Sequence, residues 1–153
     1  MKHIAGCLRM AQRTSDDSDT QVGALIQLAN GLRFMGANTL PRGVTRFPAR
    51  VTRPGKYDWI EHAERGLLHQ MAAQGQCTQA AVMYVTMHPC VECARGIIDA
   101  GLAMVVCAEP VDDRPYQYMA AEILQASHVG VVYVDWDEIH ERGQQYDKDE
   151  EGA

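Results

Sequence analysis

Apolar and polar positions recur along the chain with the periods of both helices and strands. Apolar residues spaced three or four apart, from Ile4 to Ala11, predict a first helix over residues 2–13. The apolar runs VGALIQLA and LRFMGA follow, separated by Asn30-Gly31, a strong short-range signal for a β-hairpin. We therefore expect the chain to open with a helix and an antiparallel pair of strands.

After the hairpin, helical and strand-like segments alternate three times. The predicted helices read WIEHAERGLLHQMAA, CVECARGIIDAG and PYQYMAAEILQASH, and the apolar runs AVMYVTM, LAMVVCA and VGVVYVD follow them in turn. Short, nearly all-apolar runs are typical of parallel strands that helices cover on both faces. The pattern predicts an α/β fold, namely a three-layer α/β/α sandwich with a five-stranded mixed sheet.

A long connection separates the hairpin from this alternating part. From Asn38 to about Asp58, several prolines and glycines interrupt any regular element, which predicts a loop. Loops of this length are uncommon in compact domains and are often functional. From Leu32 to Tyr57 the chain carries six basic residues and no acid. An anionic partner and a loop that is basic by chance explain this charge equally well.

Composition and charge narrow the class of protein. The chain has 153 residues, of which 46% are hydrophobic, as expected of one globular domain. We predict a single domain over 1–145 and a disordered acidic tail over 146–153, since the whole net charge of −6 arises after residue 134. No apolar run reaches about 18 residues and no secretory pattern opens the chain, so we expect no membrane partner and a cytoplasmic location.

Two short motifs carry the candidate chemistry. His62 and Glu64 form an H-x-E motif, and Cys90 and Cys93 form a C-x-x-C motif directly after Pro89. Helix positions three apart share a face, so both sulfurs can bind one metal ion. Pro89 suits the first turn of this helix, whose positive end favours a thiolate at Cys90. Two thiolates and one imidazole indicate zinc, and three protein ligands leave one coordination place for water.

Glu64 has the spacing of a proton shuttle. If His62 binds the metal, the Glu64 carboxylate lies beside the bound water and can pass its proton to a leaving nitrogen. Other interpretations remain open for these residues. The cysteines can form a redox pair or half of a structural zinc site, although the chain has no second C-x-x-C motif, and His69 can act as a fourth ligand.

The motifs and their flanks together resemble the cytidine/deoxycytidylate deaminase superfamily, and within it the deoxycytidylate (dCMP) branch. The resemblance extends over TSDDSDTQVGA, GANTLPRGV, KYDWIEHAE and YVTMHPCVECARGIIDAGL. It implies zinc on His62, Cys90 and Cys93, with Glu64 as the proton shuttle. The implied reaction is hydrolytic deamination of dCMP, or of a 5-substituted dCMP, to the uracil nucleotide and ammonia.

The resemblance also implies substrate contacts. Asn38 would bind the sugar hydroxyl, and the backbone N–H of Ala63 would bind the pyrimidine carbonyl. For a 5′-phosphate the basic loop offers Arg42 as the first choice, because arginine binds phosphate in a bidentate manner. Arg114 and Tyr116 are further candidates for phosphate contact or base stacking. His88, next to Pro89, is a candidate for substrate contact, and the family implies a homo-oligomer, either a dimer or a hexamer.

Two positions depart from the family pattern. Members that respond to dCTP and dTTP have GYNG where this chain has Gly36-Ala37-Asn38-Thr39, which puts nucleotide regulation in doubt. Gly66 replaces an asparagine of the pattern HAE-x-N, which suggests a different or 5-substituted substrate.

Two other functions compete with a mononucleotide deaminase. The first is deamination of another nucleoside or of a base in RNA, although a neutral main body and an acidic C-terminus argue against a long nucleic acid. The second is a zinc-stabilised interaction module without catalysis. Glu64 argues against that module, since a purely structural site has no use for an acid in this place.

Overall fold

The computed structural model describes residues 2–141 and contains the predicted elements in the predicted order. Its helices are α1 (Lys2–Thr14), α2 (Pro48–Val51), α3 (Lys56–Trp59), α4 (Ala63–Ala73), α5 (Val91–Asp99) and α6 (Pro115–Ala126). Its strands are β1 (Gly23–Gln27), β2 (Arg33–Ala37), β3 (Val82–Val85), β4 (Met104–Ala108) and β5 (Gly130–Val134). Residues 136–141 are helical as well. The predicted domain end at 145 and the tail 146–153 lie outside the described residues.

The five strands form one mixed sheet in the order β2-β1-β3-β4-β5. The hairpin strand β1 pairs antiparallel with β2 and with β3, whereas β3, β4 and β5 are mutually parallel. The predicted α/β sandwich is therefore confirmed. Crossover helices connect the parallel strands, as a parallel pairing requires.

Helices cover both faces of the sheet. On one face, α4, α5 and α6 enclose the larger core, in which Ile26, Met83 and Val105 are fully buried. On the other face, α1 and the helical residues 136–141 enclose a smaller core that includes Ile4 and Ile139. The alternation of side chains along each strand supplies both layers from one short apolar run.

The hairpin turn differs from the two-residue turn that Asn-Gly most often forms. Gly31 has a φ of +87°, whereas Asn30 is not left-handed. The N–H of Gly31 donates to the carbonyl of Leu28, and the N–H of Leu28 donates to the carbonyl of Leu32. This is a three-residue connection with glycine in the left-handed position, so the hairpin prediction is confirmed with a different turn.

The structure differs from the sequence prediction in the long connection and at the starts of two helices. The connection 38–58 is not wholly irregular, since α2 and α3 each form one turn within it. The helix predicted from Trp59 begins only at Ala63, because Glu61 exchanges backbone hydrogen bonds with Thr39. Pro89 lies before its helix and not in the first turn, because Cys90 is extended and is the N-cap residue of α5.

Within residues 2–141, no helix combines the length and the apolar character that crossing a bilayer requires.

Replacing Gly23 with alanine tests the packing of α1 on β1. The new Cβ would lie 1.9 Å from the backbone oxygen of Cys7, so α1 would have to shift. We expect the free energy of unfolding to fall by about 1–3 kcal/mol, measured by urea denaturation with zinc present. In the control Gly66→Ala, only Glu61 Cγ at 3.9 Å lies near the new methyl group. That helix substitution should stabilise by about 0.5–1 kcal/mol, and equal effects of both would contradict the close contact.

Candidate metal centre and its cavity

Two helix N-termini bring the predicted metal ligands together. His62 is the N-cap residue of α4, and Cys90 is the N-cap residue of α5. Neither side chain caps its own helix, so both are free to point elsewhere. Cys93 lies in the first turn of α5 and is fully buried. The ligand atoms of these three residues lie within 4.8 Å of one another.

The distances fit a tetrahedral zinc ion. The Nδ1 atom of His62 lies 3.5 Å from Sγ of Cys90 and 3.4 Å from Sγ of Cys93. Zinc bonds of normal length at a tetrahedral angle would set sulfur and nitrogen about 3.6 Å apart. The ligand set of two sulfurs and one nitrogen is also one that zinc prefers. His62, Cys90 and Cys93 therefore form a candidate zinc site.

The cysteines share one proton unequally. A hydrogen bond from Cys93 lowers the pKa of Cys90 to about 3, and the His62 imidazole adds to this effect against the opposing effect of burial. The same hydrogen bond, together with burial, raises the pKa of Cys93. The low pKa of Cys90 favours its thiolate form, whereas the thiol proton of Cys93 must be displaced when a metal ion binds.

Glu64 is the second residue of α4 and is 4% exposed. Burial raises the pKa of its carboxyl group, which makes the carboxylate a stronger base than a glutamate in water. Glu64 is not one of the three grouped ligands, and neither is His69. The side chain of His69 is 70% exposed, and its Nδ1 atom lies 3.7 Å from a Glu61 carboxylate oxygen. His69, the possible fourth ligand, is therefore not part of the candidate metal site.

A cavity of about 480 Å³ opens at this centre. It lies at the carboxyl ends of β2, β3 and β4, where ligand sites of α/β sheets are usual. Eight of the ten predicted site residues line it: Asn38, His62, Ala63, Glu64, His88, Cys90, Arg114 and Tyr116. The ninth, Cys93, is buried behind it as a metal ligand. The predicted site residues thus make up about half of the cavity wall.

Arg42 is the predicted site residue that does not reach the cavity. It lies in the turn Pro41–Val44, where the N–H of Val44 donates to the carbonyl of Pro41, and its side chain is exposed. Gly43 in the same turn has a left-handed φ of +82°. Arg42 as first choice for a phosphate contact is thus not supported by its position. Two arginines do line the cavity, Arg53 and Arg114. Only Arg114 is among the residues predicted from the sequence.

Asn38 is held from several sides. Its Oδ1 atom accepts hydrogen bonds from Ser15 Oγ at 2.7 Å and from the N–H of Val22 at 2.9 Å. Its Nδ2 atom donates to the carbonyl of Thr20 at 2.8 Å. One amide hydrogen remains for a further partner. The side chain is thus fixed in orientation and retains one donor.

His88 has a polar atom without a described partner. Its side chain is buried, and Nδ1 lies 2.9 Å from the Pro89 carbonyl. Because a carbonyl only accepts, Nδ1 carries the proton and Nε2 presents a lone pair. Nε2 is buried and has no hydrogen-bond partner within residues 2–141. Burial lowers the pKa of His88, which keeps the ring neutral.

The basic segment 32–57 has acidic partners within the chain that the sequence predictions do not include. Three of the six basic residues contact acids of the connector before β1: Arg46 lies 3.2 Å from Asp16, Arg53 lies 3.7 Å from Asp19, and Lys56 lies 2.8 Å from Asp17. Arg50 stacks on Trp59, with its Cζ atom 4.1 Å from the ring centre. The acidic run SDDSD could have suggested this pairing. Much of the positive charge is therefore neutralised within the chain.

Gly66 lies in α4 outside the cavity. Its nearest neighbour in the direction of a side chain would be Glu61, which accepts from Nε of Arg65 at 2.8 Å. The departure at this position therefore gives no direct support for a 5-substituted ring.

Comparison with known proteins agrees with this site. A family model described as the cytidine and deoxycytidylate deaminase zinc-binding region matches residues 1–109. The chain is 37% identical over 78 residues to ComE operon protein 2 of Bacillus subtilis, covering 51% of this chain and 40% of that protein. It is 35% identical over 103 residues to human deoxycytidylate deaminase, covering 63% and 56%. The chain thus spans about half the length of these curated relatives.

A solved structure shares the fold. The dCMP deaminase of the cyanophage S-TIM5 superposes with a TM-score of 0.70 at 24% identity, covering 87% of this chain and 94% of that one. The same phage enzyme was also solved in complex with dCMP and dUMP.

Replacing a metal ligand tests the centre directly. In Cys90→Ser and Cys93→Ser we expect zinc affinity to fall by more than about 100-fold, since even the partners of a ligand are worth 10–100-fold. Zinc content would be measured by elemental analysis after dialysis. Cys77→Ser is the matched control, because Cys77 is an exposed free cysteine. Undiminished zinc in both ligand variants would refute the site.

Proposed function

Because this chain belongs to the cytidine and deoxycytidylate deaminase family, we propose that it deaminates dCMP, or a 5-substituted dCMP, to the corresponding uracil nucleotide and ammonia. The observation that carries this proposal is the buried carboxylate of Glu64 in the wall of a cavity beside which two cysteine sulfurs and an imidazole lie at zinc-binding distances. The names of the relatives, and the phage enzyme's complex with dCMP and dUMP, support the choice of nucleotide.

His62, Cys90 and Cys93 would hold the zinc. Zinc, when bound, supplies the Lewis acidity that makes water a nucleophile near neutral pH. Glu64 takes a proton from the attacking water and delivers it to N3 of the cytosine ring. The water oxygen bonds to C4, Glu64 passes the second proton to the amino nitrogen, and the C4–N bond breaks to release ammonia. The raised pKa of Glu64 makes its carboxylate a stronger base for the uptake of the proton from water.

The cavity wall supplies groups for the rest of the nucleotide. Ala63 is the first residue of α4, so its N–H has no acceptor within the helix and can bind the pyrimidine carbonyl. The remaining amide hydrogen of Asn38 binds the sugar hydroxyl. His88 also lines the cavity, so its ring can contact the nucleotide. Tyr116, which is 48% exposed at the cavity, stacks on the base or flanks the phosphate.

Arg114 is the better phosphate ligand in this proposal. Within residues 2–141 it has no carboxylate partner, and its Nη1 atom donates only to Met87 Sδ. Lys56 and Arg53, the other cations of the cavity, both contact Asp19. The internal ion pairs also leave few cations for a phosphate chain, which disfavours RNA as the substrate.

Two wider properties belong to the same proposal. Both cysteine ligands must stay reduced to bind metal, which favours a cytoplasm-like compartment. We also propose a homo-oligomer, a dimer or hexamer, in keeping with the family. The exposed apolar side chains of α6, Tyr118 and Met119, are suited to such an interface.

Glu64→Gln removes the proton shuttle and keeps the shape of the side chain. We expect kcat for ammonia release from dCMP to fall by about 10²–10⁴-fold, with zinc content unchanged. Glu122→Gln on α6 is the control, because Glu122 is exposed and does not line the cavity. Full activity of Glu64→Gln would show that another group moves the proton.

Arg114→Gln tests the phosphate contact against Arg42→Gln. We expect Arg114→Gln to lower kcat/KM for dCMP by about 10–100-fold, the range of a charge-assisted hydrogen bond, and to leave deoxycytidine almost unaffected. Arg42→Gln should change neither substrate by more than about twofold, since surface changes have small effects. If only Arg42→Gln lowered kcat/KM, and only for dCMP, Arg42 would be the phosphate ligand. Steady-state kinetics with both substrates decides the matter.

A further inference from the structure

Lys56 lies in the cavity wall and is almost completely buried. Its side chain is 3% exposed, and that of Asp17 is 9% exposed. The Nζ atom lies 2.8 Å from each carboxylate oxygen of Asp17 and 3.3 Å from Oδ2 of Asp19. An ammonium group has three N–H donors, and these three oxygens occupy all of them.

A short series of hydrogen bonds leads from this ion pair to Asn38. Oδ1 of Asp17 also accepts from the backbone N–H of Thr20 at 3.1 Å. The carbonyl of the same Thr20 accepts from Nδ2 of Asn38 at 2.8 Å, and Oδ1 of Asn38 accepts from the N–H of Val22 at 2.9 Å. Lys56, Asp17, Thr20, Val22 and Asn38 all line the cavity. The ammonium of Lys56 is therefore connected to Asn38 through hydrogen bonds of the loop 17–22.

Lys56 is poorly suited to bind a phosphate, although it is a cation in the cavity. To reach a ligand, its ammonium would have to leave the carboxylate of Asp17, which would then be a buried charge without a partner. Asp19 is a lesser partner, because its side chain is 53% exposed and also contacts Arg53. Burial alone would lower the pKa of Lys56, but the hydrogen bonds to Asp17 raise it above its usual value. The ammonium of Lys56 is thus charged, and its shortest contacts are with Asp17.

We infer that Lys56 is a positioning residue and not a phosphate ligand: through Asp17 and Thr20 it holds the Asn38 amide where the amide meets the 3′-hydroxyl of the nucleotide. This inference rests on the proposed function for its substrate and on the described contacts for its mechanism. It assigns to the buried ion pair a part in recognition of the sugar. It also distinguishes Lys56, which shapes the cavity wall, from Arg114, which is available to an anion.

Kinetics on three substrates test the inference in zinc-loaded Lys56→Met. We expect kcat/KM to fall about tenfold for dCMP, the factor of one hydrogen bond of ordinary strength, and by the same factor for deoxycytidine, which has no phosphate. For 2′,3′-dideoxycytidine monophosphate, which has no 3′-hydroxyl, the loss should be less than about twofold. A loss confined to the phosphorylated substrates would make Lys56 a phosphate ligand. An equal loss on all three would make its role purely structural. Either result overturns the inference.

Amide hydrogen exchange gives a readout that needs no activity. The N–H of Val22 reports on Asn38 directly, because it donates to Asn38 Oδ1. Its exchange should accelerate at least tenfold in Lys56→Met, whereas amides in β4 should not change. Arg46→Met is the matched control, since it breaks an ion pair to Asp16 whose arginine is 60% exposed, and it should leave Val22 unchanged. Unchanged Val22 exchange in Lys56→Met would refute the inference.

A second variant covers the case in which Lys56→Met does not fold. The double variant Asp17→Asn with Lys56→Met leaves no buried charge unpaired and retains an oxygen that can accept from Thr20, and the same kinetic and exchange results are expected of it. If the wild-type protein released no ammonia from any cytosine substrate, the proposed function would fail, and the exchange of Val22 would still decide whether Lys56 holds Asn38.

Discussion

The convergence of two helix N-termini at one edge of the sheet is the constraint on which the site depends. The first turns of α4 and α5 have free N–H groups and positive dipole ends, which stabilise negative charge nearby. Cys90, Cys93 and the buried carboxyl group of Glu64 lie at these two helix starts. His62 and Cys90 are N-cap residues whose side chains do not cap their helices. The strand order β2-β1-β3-β4 then brings Asn38, which follows β2, and Arg114, which follows β4, to the same edge.

The sequence predicts these elements well because each one is local. The apolar runs give the strands, and the motif spacing gives the three ligands. The boundaries of the helices depend also on residues that are distant in sequence. Helix α4 starts at Ala63 because Glu61 pairs with Thr39. The same holds for Arg42, whose distance from the cavity depends on a turn in the long connection. The sequence therefore identified the residues of the metal centre, but not all of those around the rest of the nucleotide.

Charge in the long connection shows the same limit. Counted along the sequence, residues 32–57 are a basic segment, and an anionic partner is one natural interpretation. In three dimensions the acids of residues 16–19 occupy three of its cations, so the partner is largely another part of the chain. Net charge over a segment indicates a ligand only where the charge is not already paired. Arg114, outside that segment, satisfies this condition among the described residues.

Specificity must therefore come from a small number of unpaired groups. The fold is shared with a phage dCMP deaminase at low sequence identity, and a shared fold does not select a substrate. Within residues 2–141, the free groups of this cavity include one amide hydrogen on Asn38, the N–H of Ala63 and the guanidinium of Arg114. A ligand with a hydroxyl, a ring carbonyl and an anionic end matches them, and a buried group left unmatched would cost binding energy. The groups that are already paired, above all Lys56 with Asp17, keep the free ones in place.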